Sequence, residues 1–214
     1  MEMDDLVREL TTDLKPIGIL RPVPFAVSTG AVCLGFTGAY AFFIIRVRPD
    51  LLTKITEPLF ALNLLAGLWT IFFGLGLAAQ LGLPGRPRNW WLVPMAVAPL
   101  LLILFFTFLS SLSGGLQLWM DGSDLVGKAC SIGTLVVAAL AFPLFGWQLR
   151  KGASQSPPLT GVIAGLVTFG AGLLAIASHC EIDNAVHALL YHLAIPLAVV
   201  NLAGLTIGRR LFRW

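Results

Sequence analysis

Six stretches of about 20 residues, each free of Asp, Glu, Lys and Arg, leave this chain one environment in which to fold. They run Phe25–Ile45, Leu59–Ala79, Trp91–Leu112, Cys130–Leu149, Leu159–Ser178 and Val186–Ile207, each bounded by charge or by Pro and Gly. About 20 apolar residues in a helix cross the roughly 30 Å hydrocarbon core of a bilayer. Backbone groups in lipid must be satisfied within the segment, so each stretch reads as a helix. The short alternating segments of a membrane β-barrel do not occur. The chain is 57% hydrophobic and only 12% charged, against about 25% charged for a soluble domain. That excludes a water-soluble domain, a surface that binds nucleic acid directly and a disordered chain. Six spans leave only loops and tails, with no room for a soluble catalytic domain.

The basic residues set the expected orientation. With the N-terminus in the cytoplasm, ten of the 14 Lys and Arg fall on inner segments, including Arg8, Arg86, Arg150 and Arg209. The outer loops keep Arg46, Arg48, Lys54 and Lys128 and gather Asp121, Asp124, Glu181 and Asp183. The expected fold class is therefore an all-α integral membrane protein of six transmembrane helices with both termini cytoplasmic. Residues 1–22 form a cytoplasmic segment, 23–208 the bundle and 209–214 a basic tail. The acidic start lacks the pattern of a cleaved signal peptide. Trp90, Trp91, Trp119, Trp147 and Trp214 sit at span ends, as an interfacial belt does. Gly35, Gly67, Gly161 and Gly165 suit close helix packing, and Asn63 and Asn201 read as amides bridging helices. The spans lack the charge that a transporter or pump uses at mid-membrane.

Three cysteines carry the candidate chemistry. Cys33 lies mid-span, where a thiol behaves as a small apolar group. Cys130 and Cys180 fall at the outer ends of the fourth and fifth spans, on the side where disulfides persist. Cys180 stands in Ser178-His179-Cys180-Glu181-Ile182-Asp183, with His187 close behind. Thiolates, imidazoles and a carboxylate so crowded suit a soft-to-borderline metal, with His179, Glu181 and His187 as further ligands. A static disulfide, a redox-sensitive pair and inert thiols remain alternatives. A membrane thiol oxidoreductase would use a C-x-x-C pair, and the chain has none. Helical periodicity puts His187 and Tyr191 on one face, with His192 pointing elsewhere.

The N-terminal tail has an amphipathic pattern. Leu6, Val7, Leu10 and Leu14 form an apolar stripe that stops before Pro16, and Asp5 and Asp13 lie on its acidic surround. A helix this short is marginal alone, and its net negative charge suits anionic lipid poorly. A groove on a basic partner protein suits it better.

Taken in order, the motifs resemble the NrsF-type membrane anti-sigma factors. They are Asp5-Leu6-Val7-Arg8-Glu9-Leu10, Asp13-Leu14-Lys15-Pro16, Arg21-Pro22, Gly127-Lys128-Ala129-Cys130 and Arg150-Lys151-Gly152-Ala153. Ala177-Ser178-His179-Cys180-Glu181, the Ala188–His192 stretch and the ending Gly208-Arg209-Arg210-Leu211-Phe212-Arg213-Trp214 complete the set. The resemblance covers the whole chain and implies a non-enzymatic protein of the bacterial inner membrane with no resident cofactor. Such a protein holds an extracytoplasmic-function sigma factor through its N-terminal segment, here Asp5 to Pro16. Cys130 and Cys180 would be the pair that responds to oxidants or to a transiently bound heavy-metal ion and triggers release. The family's Gly-Asp before the first cysteine is Gly127-Lys128 here, a base in place of an acid. A small transporter or a membrane thiol oxidoreductase is the alternative.

Overall fold

A computed structural model describes residues 5, 7, 11–12, 21–82, 89–113, 124–152, 154, 156–182 and 185–212. The described residues contain helices and no strands. Six helices are long and apolar enough to cross a membrane: α1 (Pro22–Ile45), α2 (Pro58–Leu81), α3 (Leu92–Ser113), α4 (Asp124–Leu149), α5 (Pro157–Ala177) and α6 (Ala188–Leu211). Three of them open on Pro22, Pro58 and Pro157, where a missing N–H costs no helical hydrogen bond. α4 starts at Asp124, six residues ahead of the apolar stretch. Cys130 therefore lies inside the helix, beyond its first turn.

α5 occupies the centre. Every residue of it from Ile163 to Ala177 is buried, and it packs against α2, α4 and α6. Its composition explains the position: glycine lets neighbouring backbones approach where Leu would hold them off. A Cβ added to Gly161 would meet the Gly204 carbonyl oxygen, with Gly208 Cα at 2.6 Å; one on Gly165 would stand 2.9 Å from the Val200 carbonyl oxygen. α3 packs on α2, and α1 lies against α2, α4 and α5. The outer surface is apolar, with Phe72, Leu101, Phe105 and Leu202 exposed. That much exposed hydrocarbon suits lipid and would be a liability in water. Trp90, Trp91 and Trp147 are exposed near helix ends, and Trp119 and Trp214 lie outside the described residues.

Two helix segments widen to π geometry: Ala41–Ile45, ending α1, and Ala188–Ala194, opening α6. The second precedes Pro196, which has no N–H for the His192 carbonyl and whose ring crowds that carbonyl. The i→i+5 pattern accommodates the fault. Asn63 and Asn201 depart from expectation. Each donates through Nδ2 to the carbonyl four residues earlier in its own helix, Leu59 and Leu197, instead of bridging helices.

At one end of the bundle, Phe25 of α1 stacks on Phe145 of α4, ring centroids 6.0 Å apart, and Thr29 Oγ1 donates to Gln148 Oε1 at 3.1 Å. Both described cysteines of interest lie at the opposite end. In the tail, Asp5, Val7, Thr11 and Thr12 are helical and exposed, and Thr11 Oγ1 donates to the Val7 carbonyl at 2.7 Å. Leu6, Leu10, Asp13 and Leu14 lie outside the described residues.

Candidate metal centre

Four donor side chains converge where α4, the end of α5 and the start of α6 meet. Cys130, Cys180, His187 and His192 are all buried, and one ligand atom from each lies within 4.8 Å of the others. Cys130 Sγ stands 3.7 Å from Cys180 Sγ, and Cys180 Sγ stands 3.4 Å from His187 Nε2. A tetrahedral metal with thiolates at about 2.3 Å and imidazoles at about 2.0 Å spaces two sulfurs about 3.8 Å apart, and sulfur and nitrogen about 3.5 Å apart. The two observed separations are those tetrahedral edges. Two thiolates with two imidazoles make a closed, four-ligand site suited to zinc-like and softer ions.

Each donor is positioned by local structure. Cys130 is held on α4, where Thr134 Oγ1 donates to its carbonyl at 3.1 Å. Cys180 follows the end of α5, its N–H bonded to the Ile176 carbonyl at 2.9 Å. His187 and His192 are five residues apart. In a regular α-helix that spacing separates them around the axis; across the π turn residue i+5 lies over residue i. Their ring centroids are 5.0 Å apart and perpendicular. His192 thus points into the cluster, contrary to the helical-wheel expectation, and the π geometry is the reason. His187 and Tyr191 do meet, with ring centroids 5.4 Å apart. Ser131 Oγ donates to the Tyr191 carbonyl at 2.8 Å and fastens α4 to α6 beside the cluster. Gly127 lies against the Tyr191 ring, where a Cβ would collide with it.

The sequence-predicted set is sorted by these contacts. Cys130, Cys180 and His187 are brought together. His179 turns away, its Nδ1 donating to the Arg46 carbonyl at 2.9 Å, and Glu181 is exposed. Sequence reasoning missed His192, whose signal was the five-residue spacing from His187 followed by Pro196. It also missed Arg48, which is 5% exposed and donates through Nη1 to the Cys180 carbonyl at 2.6 Å.

Electrostatics favours a metal-ready Cys180. The hydrogen bond from Cys130, with the His187 and His192 rings beside it, holds the Cys180 thiol well below its ordinary range, against the opposing effect of burial. Thiolate is the ligand form, so Cys180 is ready to ligate and capture releases the proton that Cys130 holds. His192 Nε2 is buried without a hydrogen-bond partner, a cost that coordination would remove. A cavity of about 180 Å³ lies beside the cluster, between exposed Glu57 and the buried Cys180 and His192, with Asn63 on its wall.

Set against known proteins, the chain matches the family model of NrsF, negative regulator of sigma F, over residues 10–214. No curated protein and no solved structure matches it. The matched residues take in all six membrane-length helices and all four donors. The chain therefore belongs to the NrsF family of negative regulators of sigma F, a family of regulators and not a class of enzymes.

Proposed function

We propose that this protein is an anti-sigma factor of the bacterial inner membrane that retains an extracytoplasmic-function sigma factor and releases it when a thiophilic metal occupies Cys130, Cys180, His187 and His192. Both termini face the cytoplasm, as the distribution of basic residues favours, and the cluster faces the outer compartment. Residues 1–22 hold the sigma factor, with Asp5, Leu6, Val7, Leu10, Asp13 and Leu14 forming the contact stripe. The bundle between carries the signal, and the basic tail stays at the inner surface. His179 and Glu181 are not ligands in this reading.

The observation that carries it is the buried four-donor cluster, two of whose separations match tetrahedral edges. The energetic scale is adequate. A full shift of a partner from bound to free takes roughly 5.5 kcal/mol of differential stabilisation. Structural zinc sites bind with about 10–16 kcal/mol, so a site that favours one bundle state by about half its binding energy suffices. Oxidation of the pair is a second reading, favoured by the 3.7 Å approach of the two thiols. An external oxidant would take two electrons from the thiols, two protons would leave, and a disulfide would form. It ranks second because it uses His187 and His192 only to favour the Cys180 thiolate, whereas a metal takes both as ligands.

The test is co-purification from native membranes in mild detergent, followed by addition of Zn2+. The full-length protein should bring down a sigma factor and lose it on metal addition, and a variant lacking residues 1–16 should bring down none. Cys130→Ser and Cys180→Ser should retain the sigma factor and fail to release it. Normal release by both single variants, or no sigma factor on the full-length protein, would overturn the proposal.

A further inference from the structure

Arg48 is the most deeply buried charged side chain among the described residues, and it lies outside every span, three residues past α1. A guanidinium so placed must have each donor engaged, since a buried unpaired charge is strongly destabilising. Its partners define a strap. Nε and Nη2 form a fork on the Asp50 carboxylate at 2.7 and 2.9 Å. Nη1 donates to the Cys180 carbonyl at 2.6 Å, and the Arg48 N–H donates to the Ser178 carbonyl at 3.0 Å. The guanidinium also stands over the Phe60 ring, 5.5 Å from its centroid.

The neighbouring residues make the same connection. His179 Nδ1 donates to the Arg46 carbonyl, and Arg46 adopts φ 64°, a backbone conformation that L-residues rarely take. Ile45, the last residue of α1, packs on Cys130, Ile176 and Cys180. Residues 45–48 thus ride on residues 178–180, and residue 180 is a metal donor. α1 in turn carries the N-terminal segment. It is far less buried than the central helix: added Cβ atoms at Gly35 and Gly38 would meet nothing within 4 Å, whereas α5 is buried almost throughout.

We propose that Arg48 is the positioning residue that couples the cluster to α1, so that closure of the four donors around a metal displaces the helix bearing the sigma-binding segment. This rests on the metal-responsive anti-sigma reading above. Cys180 Sγ already stands at tetrahedral edges from Cys130 and His187, and capture draws it toward the remaining donor within the 4.8 Å that bounds the cluster. The Cys180 carbonyl moves with it. Arg48 follows, because letting go would strand its charge in a buried place. The shared element with two arrangements is the 45–48/178–180 junction.

The test uses the full chain with its bound sigma factor in lipid nanodiscs, scoring Zn2+ affinity and Zn2+-triggered release separately. Arg48→Ala should bind Zn2+ with wild-type affinity when free of sigma factor, retain the sigma factor before metal is added, and release about tenfold less of it afterwards. Arg48→Lys, a point charge that reaches Asp50 or the Cys180 carbonyl but not both, should fall between. His179→Phe cuts the Arg46 link without stranding a buried charge; it should also lower release and carries the test if Arg48→Ala does not accumulate. Wild-type release from both Arg48→Ala and His179→Phe, or release from either before metal is added, would overturn the coupling role. A wild-type protein that binds Zn2+ and releases nothing would instead refute the functional reading beneath it.

Discussion

Replacing His192 with alanine removes one of four converging donors without touching either cysteine. Binding of about 10–16 kcal/mol shared over four ligands is about 2.5–4 kcal/mol each, so the variant should bind zinc about 10²–10³-fold more weakly. The lower figure applies if water enters the vacated position. The fold should survive, because His192 Nε2 is buried without a hydrogen-bond partner and its removal orphans nothing there. His179→Ala is the matched control: it lies one residue from Cys180, but its ring is bonded to the Arg46 carbonyl, so zinc affinity should stay within about threefold of wild type. Competition against a chromophoric chelator in detergent measures both, and Co2+ gives an independent readout through the visible bands of a tetrahedral thiolate site. Wild-type affinity in His192→Ala would refute the reasoning, as would an equal loss in His179→Ala.

Other perturbations test the scaffold. Gly161→Ala forces a methyl onto the Gly204 carbonyl oxygen and the Gly208 backbone and should destabilise the protein by about 1–3 kcal/mol. Gly35→Ala, with nothing within 4 Å, should leave thermal unfolding in detergent unchanged or slightly raise it. Pro196→Ala restores a donor to the His192 carbonyl; relaxation of the π turn to α geometry would rotate His192 away, with zinc affinity falling about tenfold in the same titration. The Arg48 hydrogen bond holds the Asp50 carboxyl below its ordinary value. A depressed folded-state value means stabilisation that is present above about pH 4 and is lost as pH falls through that lowered value. Melting temperature should therefore fall on acidification below pH 4 in the wild type and stay flatter in Asp50→Asn.

The helices were legible because each is a single uninterrupted signal. Lipid tolerates no charge and no unsatisfied backbone, so residues 59–79 or 159–178 admit one reading, and the helices found there end within two residues of it. The start of α4 was less legible because Asp124 and Lys128 are polar yet helical, extending past the lipid-compatible stretch. Cys130 and Cys180 were legible as a pair by topology alone, since helices of alternating direction bring the start of the fourth and the end of the fifth to one side. His192 was not, since a helical wheel assumes 3.6 residues per turn and the chain departs from it there. Asn63 and Asn201 were misread for a related reason: an amide in lipid needs a partner, and periodicity does not say whether its own helix supplies one.

By itself, then, the sequence determined the number of membrane-length helices and the end of the bundle at which the two cysteines gather. Those properties follow from the transfer of whole segments into lipid, a sum over some 20 residues that no single neighbour can overturn. Tertiary structure alone decided that α5 is central, because glycine permits close approach from any side and only the actual neighbours choose one. It also decided that two histidines five residues apart share a target, and that Arg48 of a polar loop is buried against the Cys180 carbonyl. Each of these depends on distances between residues remote in sequence, or on a helix changing its pitch, and neither is written in local pattern.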